Sequence, residues 1–201
     1  MKINLILLAA GNSKRFNGNK LLYEINNKPM YRHIIDKVIN INFNKIILVT
    51  QYKEIIEQLS KGKIGLSKNQ SNKIEIVLNN ESYLGISNSI KIGINKDKTA
   101  DAYMFMVCDQ PFIKIQTIEA LIDRFNKSNK GIACIGYKED TFNPVIFSNK
   151  YLKELLSLSG DVGGKRILKN NLDDVEVMKI LDEKEVIDLD TKEIINILES
   201  V

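Results

Sequence analysis

The 201-residue chain has no tryptophan, one histidine, two cysteines and three prolines. Each shortage removes a class of chemistry. One His and two Cys fall short of a His/Cys zinc site of the usual composition. A serine or cysteine triad would have to recruit His33, which stands in a helical pattern. Cys108 and Cys134 sit far apart inside apolar runs. They make no disulfide framework and suit a reducing cytoplasm, the expected location. No Pro-, Gly- or Ser-rich linker divides the chain, and no internal repeat is visible. The apolar run Leu5–Ala10 is far too short to span a bilayer. The polar stretch after it carries Lys14, Arg15 and Lys20 and no small-residue cleavage site, so the start reads as a strand and not as a signal peptide. Lys+Arg 29 against Asp+Glu 25 leaves +4, too weak a balance to argue for a nucleic-acid or membrane partner.

What is present is an ordinary globular composition, 44% hydrophobic and 27% charged, which suits one domain over residues 1–201. A chain of this length buries about 70% of its unfolded surface and needs no cross-links to hold a core. Ile3–Leu8, Lys45–Thr50, Ile74–Leu78, Ala102–Val107, Ile132–Tyr137 and Pro144–Phe147 read as strands. Most are apolar on both sides of the alternation, as strands buried on two faces of a parallel sheet are. Helical patterns separate them at Met30–Ile41, Tyr52–Ser60, Ser87–Asn95, Gln116–Asn126, Tyr151–Leu158, Gly163–Asn170 and Lys192–Leu198. In one of these, Ile118, Leu121, Ile122 and Phe125 fall at i, i+3, i+4 and i+7, a single apolar face. The polar stretch Lys61–Lys73 reads as a surface loop. The β–α alternation predicts an α/β fold: three layers, doubly wound, with a mostly parallel sheet. Ligands of such folds bind outside the carboxyl ends of the strands.

Two segments at such ends carry chemistry. After the first strand comes Leu8-Ala9-Ala10-Gly11-Asn12-Ser13-Lys14-Arg15-Phe16-Asn17-Gly18-Asn19-Lys20. Small residues at Ala9, Ala10 and Gly11 let backbone N–H groups approach a ligand. Lys14, Arg15 and Lys20 add the cations that a polyphosphate requires. The alternative is a tight turn with surface charges. Neither a P-loop nor a Gly-x-Gly-x-x-Gly dinucleotide fingerprint is present. The other segment is Met104-Phe105-Met106-Val107-Cys108-Asp109-Gln110-Pro111, an apolar strand ending in an acid. A carboxylate there faces the crevice, where it would hold Mg²⁺ against phosphates or else cap the following turn. Cys108 reads as a small buried filler. Gly85 before the Ser-rich helix start Ile86-Ser87-Asn88-Ser89 offers free N–H groups and hydroxyls to the same crevice, although Ser87 could simply cap the helix.

The run Leu8-Ala9-Ala10-Gly11-x-Ser13-x-Arg15-Phe16-x-x-x-Lys20 resembles the signature loop of the nucleotidyltransferases with a Rossmann-like fold. These enzymes join a nucleoside triphosphate to a phosphorylated acceptor and release pyrophosphate. Asn17 stands where the family usually has Gly, and Cys108 where it has a smaller residue. The resemblance implies nucleotide-binding roles for Leu8, Ala9, Ala10, Gly11, Ser13, Arg15, Lys20, Asn79, Gly85 and Ser89. It also implies catalytic roles for Arg15, Lys20 and Asp109, with Arg15 neutralising the leaving pyrophosphate and Lys20 bridging to the α-phosphate. Asp188-Leu189-Asp190-Thr191 resembles the family's Asp-x-Asp-Thr segment, which implies Asp190 as the second Mg²⁺ ligand beside Asp109. Asp188 would be its neighbour, and Asp190 or Thr191 could instead cap the last helix.

Phe142-Asn143-Pro144-Val145 and Gly160-Asp161-Val162-Gly163-Gly164-Lys165-Arg166 resemble segments of the molybdenum cofactor cytidylyltransferase branch, with Asn143 in place of a frequent His. They imply acceptor contacts from Gln110, Asn143, Pro144, Gly163 and Gly164. The expected activity is transfer of CMP from CTP to the phosphate of molybdopterin, with Mg²⁺ as cofactor and transient contact with a molybdoenzyme as a further partner. A guanylyl- or sugar-phosphate nucleotidyltransferase and a non-catalytic nucleotide-binding protein for a metal cofactor stand as the alternatives.

Overall fold

The computed structural model describes the whole chain except residues 14, 15, 17, 61–66, 68, 69, 71, 192 and 196–201. The strands are β1 (Ile3–Ala9), β2 (Glu24–Ile25), β3 (Lys28–Pro29), β4 (Lys45–Thr50), β5 (Ile74–Leu78), β6 (Ala102–Val107), β7 (Ile132–Tyr137), β8 (Asp140–Ser148) and β9 (Val175–Lys179). The helices are α1 (Met30–Val38), α2 (Lys53–Ser60), α3 (Ile86–Asn95), α4 (Ile115–Lys127), α5 (Leu152–Ser157) and α6 (Lys165–Asn170). Seven strands form one sheet in the order β5-β4-β1-β6-β8-β7-β9. β1 runs parallel to β4 and β6, β4 to β5, and β7 to β9. β8 alone is reversed, antiparallel to both of its neighbours. The mostly parallel, doubly wound arrangement expected from the alternation is what the chain adopts.

Side chains alternate across a strand, so β1 feeds two cores. Leu5, Leu7 and Ala9 join α1, α2 and α4 on one face, through Ile34, Ile55, Leu121 and their neighbours. Ile6 points the other way, to Ile90 and Ile94 of α3, Leu155 of α5 and Ile167 of α6. A fully buried side chain of this size contributes about 1.5–3 kcal/mol, which is why strands with apolar residues on both sides occupy the middle of the sheet. Gly93 lets α3 settle on β1: a Cβ there would lie 2.5 Å from Ile6 Cγ2. In α4 the expected apolar face is the buried one, with Ile118, Leu121 and Phe125 inside.

Several bounds differ from those the sequence suggests. α1 stops at Val38, because the chain tightens there, with Ile41 N–H donating to the Val38 carbonyl. β8 begins at Asp140, since β7 turns into it through a hairpin in which Lys138 takes φ +52°. β9 and the small β2–β3 hairpin were not expected. The hairpin turns on Asn26 and Asn27, both left-handed at φ +50° and +59°, a conformation Asn tolerates well. The expected loop Lys61–Lys73 and helix Lys192–Leu198 lie largely outside the described residues.

The topology fixes where a ligand would go. From β1 the chain adds β4 and β5 on one side, then returns to lay β6 on the other. The carboxyl ends of β1 and β6, in register at Leu8 and Val107, therefore flank a switch point, where a crevice opens.

Candidate active site

A cleft of about 620 Å³ opens at this point. One wall is the loop after β1, from Ala9 to Ser13; another is the Ser82–Leu84 turn with Gly85, Ile86 and Ser89; Gly160 and Asp161 close the side. Lys20, Asp109 and Asp190 line its floor.

Lys20 opens a 3-10 turn whose preceding Asn19 caps it by accepting from Leu21 N–H at 3.1 Å. Its ammonium reaches Asp109 Oδ2 at 2.6 Å and Asp190 Oδ1 at 2.7 Å, and its side chain is only 9% exposed. Burial alone would lower the lysine's pKa, but the two carboxylates outweigh it and hold the ammonium above its ordinary value. Asp109 stands two residues past β6, at the carboxyl end that the topology turns toward the cleft. Asp190 is brought in by the backbone: Leu189 N–H donates to the Asp109 carbonyl at 2.9 Å. Gln110 secures the same segment, donating to the Val186 carbonyl at 3.3 Å and to Asp188 Oδ1 at 3.0 Å. Asp188 is pushed up by burial and then by its acidic neighbours Asp109 and Asp190, while Gln110 and Lys20 oppose the shift. Of the two acids in the Asp-x-Asp segment, Asp190 is the one that shares Lys20 with Asp109.

Asp109 Oδ1 is buried and has no hydrogen-bond partner among the described residues. A buried carboxylate oxygen left in that state is costly unless something else binds it. No group of three or more His, Cys, Asp or Glu side chains able to hold a metal is found among the described residues. The site thus offers no all-protein cage. It offers two carboxylates beside open space, the donor set that Mg²⁺ takes when phosphate oxygens complete its shell.

The nucleotide-binding, catalytic and metal residues expected from the sequence divide in three groups. Leu8, Ala9, Ala10, Gly11, Ser13, Lys20, Gly85, Ser89, Asp109 and Asp190 line the one cleft. Asn79 lies just behind it, 1% exposed, donating to Ser89 Oγ at 2.9 Å. Arg15 lies outside the described residues.

None of the five expected acceptor residues lines this cleft. Gln110 is a buried tether. A Cβ on Gly163 would make only ordinary contact with Ile86, at 3.7 Å, whereas one on Gly164 would lie 2.8 Å from the Phe147 ring, so Gly164 is small for packing reasons. Asn143 and Pro144 fall beyond Val145, which pairs with Phe105, and so lie toward the carboxyl end of β6 without lining the cleft.

The sequence reading missed two other features of the cleft. Gly85, at φ +88°, packs so closely on the Gly160 backbone that a Cβ would lie 2.4 Å from its carbonyl carbon. Asp161 then accepts from Ile86 N–H at 3.4 Å. The signal was a glycine in each of the two loops, Gly85 and Gly160. Gln51 and Tyr52, directly after β4, hydrogen-bond the loop after β1 from behind. Their position at a strand's carboxyl end beside β1 was the available clue.

Residues 5–175 match the family model described as the MobA-like NTP transferase domain. The chain is 29% identical over 140 residues to the probable molybdenum cofactor guanylyltransferase of Thermococcus sibiricus, covering 70% of this chain and 65% of that one. The chain therefore spans just under two thirds of that relative's length. It is 32% identical over 167 residues to the 2-C-methyl-D-erythritol 4-phosphate cytidylyltransferase of Dictyoglomus thermophilum, covering 79% of this chain and 67% of that one. Among solved structures it is similar to the Rv0371c homolog of Mycobacterium sp. strain JC1, with a TM-score of 0.81, 24% identity and coverage of 100% and 97% of the two chains. With most of its length matched by the family model, and with the loop, the strand-end acid and the fold all in place, the chain belongs to the MobA-like NTP transferase domain family.

Proposed function

We propose that the protein is a nucleotidyltransferase that moves a nucleoside monophosphate from a nucleoside triphosphate onto a phosphorylated small-molecule acceptor and releases pyrophosphate. The observation that carries this reading is the meeting of Lys20, Asp109 and Asp190 on the floor of one cleft, beside the loop Ala9–Ser13. An acceptor phosphate oxygen attacks the α-phosphorus, and the bond from that phosphorus to the bridging oxygen breaks as pyrophosphate departs with its electron pair. Such chemistry depends on positioning and charge neutralisation more than on proton transfer. The acceptor phosphate is already ionised near neutral pH, so no general base is needed, and none of the cleft residues is a histidine.

The loop's backbone N–H groups bind phosphate oxygens. Lys20 carries a mobile positive charge from the two acids to the α-phosphate, and Arg15 neutralises charge on the leaving pyrophosphate. Asp109 and Asp190 would hold Mg²⁺, whose contribution when bound would be Lewis-acid neutralisation of phosphate charge. Tyr83, 74% exposed, and Leu84, 44% exposed, give the opposite wall an apolar surface suited to a nucleobase.

The acceptor proposed is molybdopterin, which the Pro-Val and Gly-Asp-x-Gly segments and the Thermococcus relative's name both support. The same segments put CTP first as donor. The name of that relative supports a second reading with GTP. Pyrophosphate release measured across the four nucleoside triphosphates, with and without molybdopterin, separates the readings. Selective, molybdopterin-dependent release with CTP or GTP assigns the donor, and release dependent on a sugar phosphate instead would replace molybdopterin as acceptor. Pyrophosphate release by Asp109→Ala at near wild-type rate would refute the metal role.

A further inference from the structure

The loop after β1 can bind phosphate only if its N–H groups, and not its carbonyls, face the cleft. The structure shows what sets that orientation. Thr50 Oγ1 donates to the Ala9 carbonyl at 3.0 Å. Gln51 Nε2 donates to the carbonyls of Ala10 at 3.0 Å and Gly11 at 3.2 Å, and to Asn12 Oδ1 at 3.1 Å. Tyr52 OH donates to the Gly11 carbonyl at 2.5 Å and lies 3.4 Å from Ser13 Oγ. Three successive carbonyls are thus held by one tripeptide at the end of β4. In a planar trans peptide the carbonyl and the following N–H point in opposite directions. Holding these carbonyls against β4 turns the N–H groups of Ala10, Gly11 and Asn12 away from it, toward the cleft their residues line. Among the described residues, none of these three N–H groups has an acceptor. Successive N–H groups turned to one side are the arrangement that binds anions.

Gln51 has a second task. Its Oε1 accepts from Ser82 Oγ at 2.7 Å. One side chain therefore ties the loop to the Ser82–Leu84 turn on the facing wall, and so sets the spacing between the two. An ordinary surface glutamine would not use both ends of its amide on two walls of one cleft.

We propose that Gln51 and Tyr52 are positioning residues for the triphosphate, holding the loop carbonyls away so that the N–H groups of Ala10, Gly11 and Asn12 receive its phosphates. The inference rests on the nucleotidyl-transfer reading and adds residues that the sequence motifs do not mark. Neither side chain touches the reacting atoms, so the effect falls on nucleotide binding more than on the chemical step.

The test uses the full chain with two variants. Gln51→Glu keeps the shape but sets an oxygen against carbonyl oxygens. Tyr52→Phe removes one hydroxyl and leaves the ring. The measurements are KM for the triphosphate, KM for the acceptor, kcat, and calorimetric binding of inorganic tripolyphosphate. Gln51→Glu is expected to raise the triphosphate KM roughly tenfold and weaken tripolyphosphate binding by a similar factor, with kcat and acceptor KM changed much less. Tyr52→Phe is expected to shift the same two quantities by roughly threefold. Unchanged triphosphate KM and tripolyphosphate binding in both variants would overturn the clamp while leaving the transferase reading intact. Equal losses in kcat and both KM values, with a lowered unfolding midpoint, would also overturn it, since that is the signature of general loosening. A wild-type protein that neither binds tripolyphosphate nor releases pyrophosphate from any triphosphate would remove the transferase reading itself.

Discussion

Replacing Lys20 by Met keeps the length of the side chain and removes its charge. Asp109 and Asp190 then face each other with no ammonium between them, and Asp188 stands close behind. The cost to folding can be bounded. A hydrogen bond to a charged group contributes about 1.5–3 kcal/mol, and breaking a fully buried ion pair from one side costs about 3–5. Here the acids keep 21% and 25% of their side-chain surface exposed. Water can reach them, and their mutual repulsion is partly screened. The loss should therefore fall in the lower of those ranges, at roughly 2–3 kcal/mol, against a total stability of about 5–15 kcal/mol. Lys20→Met is expected to fold, with an unfolding midpoint lowered by about 4–12 °C for a chain of this size.

Its turnover should fall much further. A preorganised charge aimed at a reacting phosphate is worth about 10²–10³ in rate. The two effects also separate with pH. Because Asp109 and Asp190 hold the Lys20 ammonium above its ordinary 10.5 against the opposing effect of burial, its contribution to stability is complete below 10.5. It fades only as pH rises through the higher folded value. The stability gap between wild type and variant should stay constant from neutral pH to about 10 and narrow above it. Urea titrations at several pH values and a pyrophosphate-release assay test both parts. A variant that is well folded and turns over within a few-fold of wild type would refute the placement of Lys20 in the chemistry. A gap that already closes between pH 7 and 9 would refute the ion-pair argument.

Gly85→Ala forces a Cβ to 2.4 Å from the Gly160 backbone at a left-handed φ of +88°, so calorimetry should show a loss of about 1–3 kcal/mol, with the triphosphate KM raised as the two cleft walls part. Cys108 is fully buried and its thiol is pushed above the ordinary range by burial and then by Asp109, while burial takes Cys134 up to about 11. Neither thiol should react with a thiol-specific dye until urea unfolds the chain, and rapid labelling of the native protein would contradict this. His33 is held below its ordinary 6.5 by burial, with Lys28 and Lys37 adding to the effect and backbone contacts to Ile25 and Lys28 opposing it. Its contribution to stability is therefore whole above 6.5 and is lost as pH falls through the lower folded value. Urea midpoints from about pH 8 to 5 should decline for wild type and decline less for His33→Gln.

How far the fold could be read in advance follows from burial. β1, β4 and β6 are apolar on both sides because both faces of the sheet are covered there, and such runs stand out from their surroundings. β9 was missed because it is an edge strand: Val175-Glu176-Val177-Met178-Lys179 buries mainly Met178, and its pairing with β7 depends on a contact far along the chain. The β2–β3 hairpin was missed because two-residue strands carry no periodicity, although Asn26-Asn27 was a usable turn signal.

The site was legible for a different reason. Lys20 and Asp109 are 89 residues apart, and Lys20 and Asp190 are 170 apart, so no local pattern joins them. The rule that residues at the carboxyl ends of adjacent parallel strands share a crevice, applied to β1 and β6, joins the loop after β1 to Asp109, while Asp190 was legible only through the resemblance of its Asp-x-Asp segment. The same rule extends to β4, the other neighbour of β1. Gln51 and Tyr52 stand at its carboxyl end and were passed over because an uncharged amide and a phenol show no chemistry of their own in a sequence. Their part becomes visible only when the partners are known to be carbonyl oxygens, which every residue possesses and no sequence motif records. A side chain that acts by orienting backbone is invisible to motif reading for that reason, and strand ends flanking a glycine loop are where such residues should be sought.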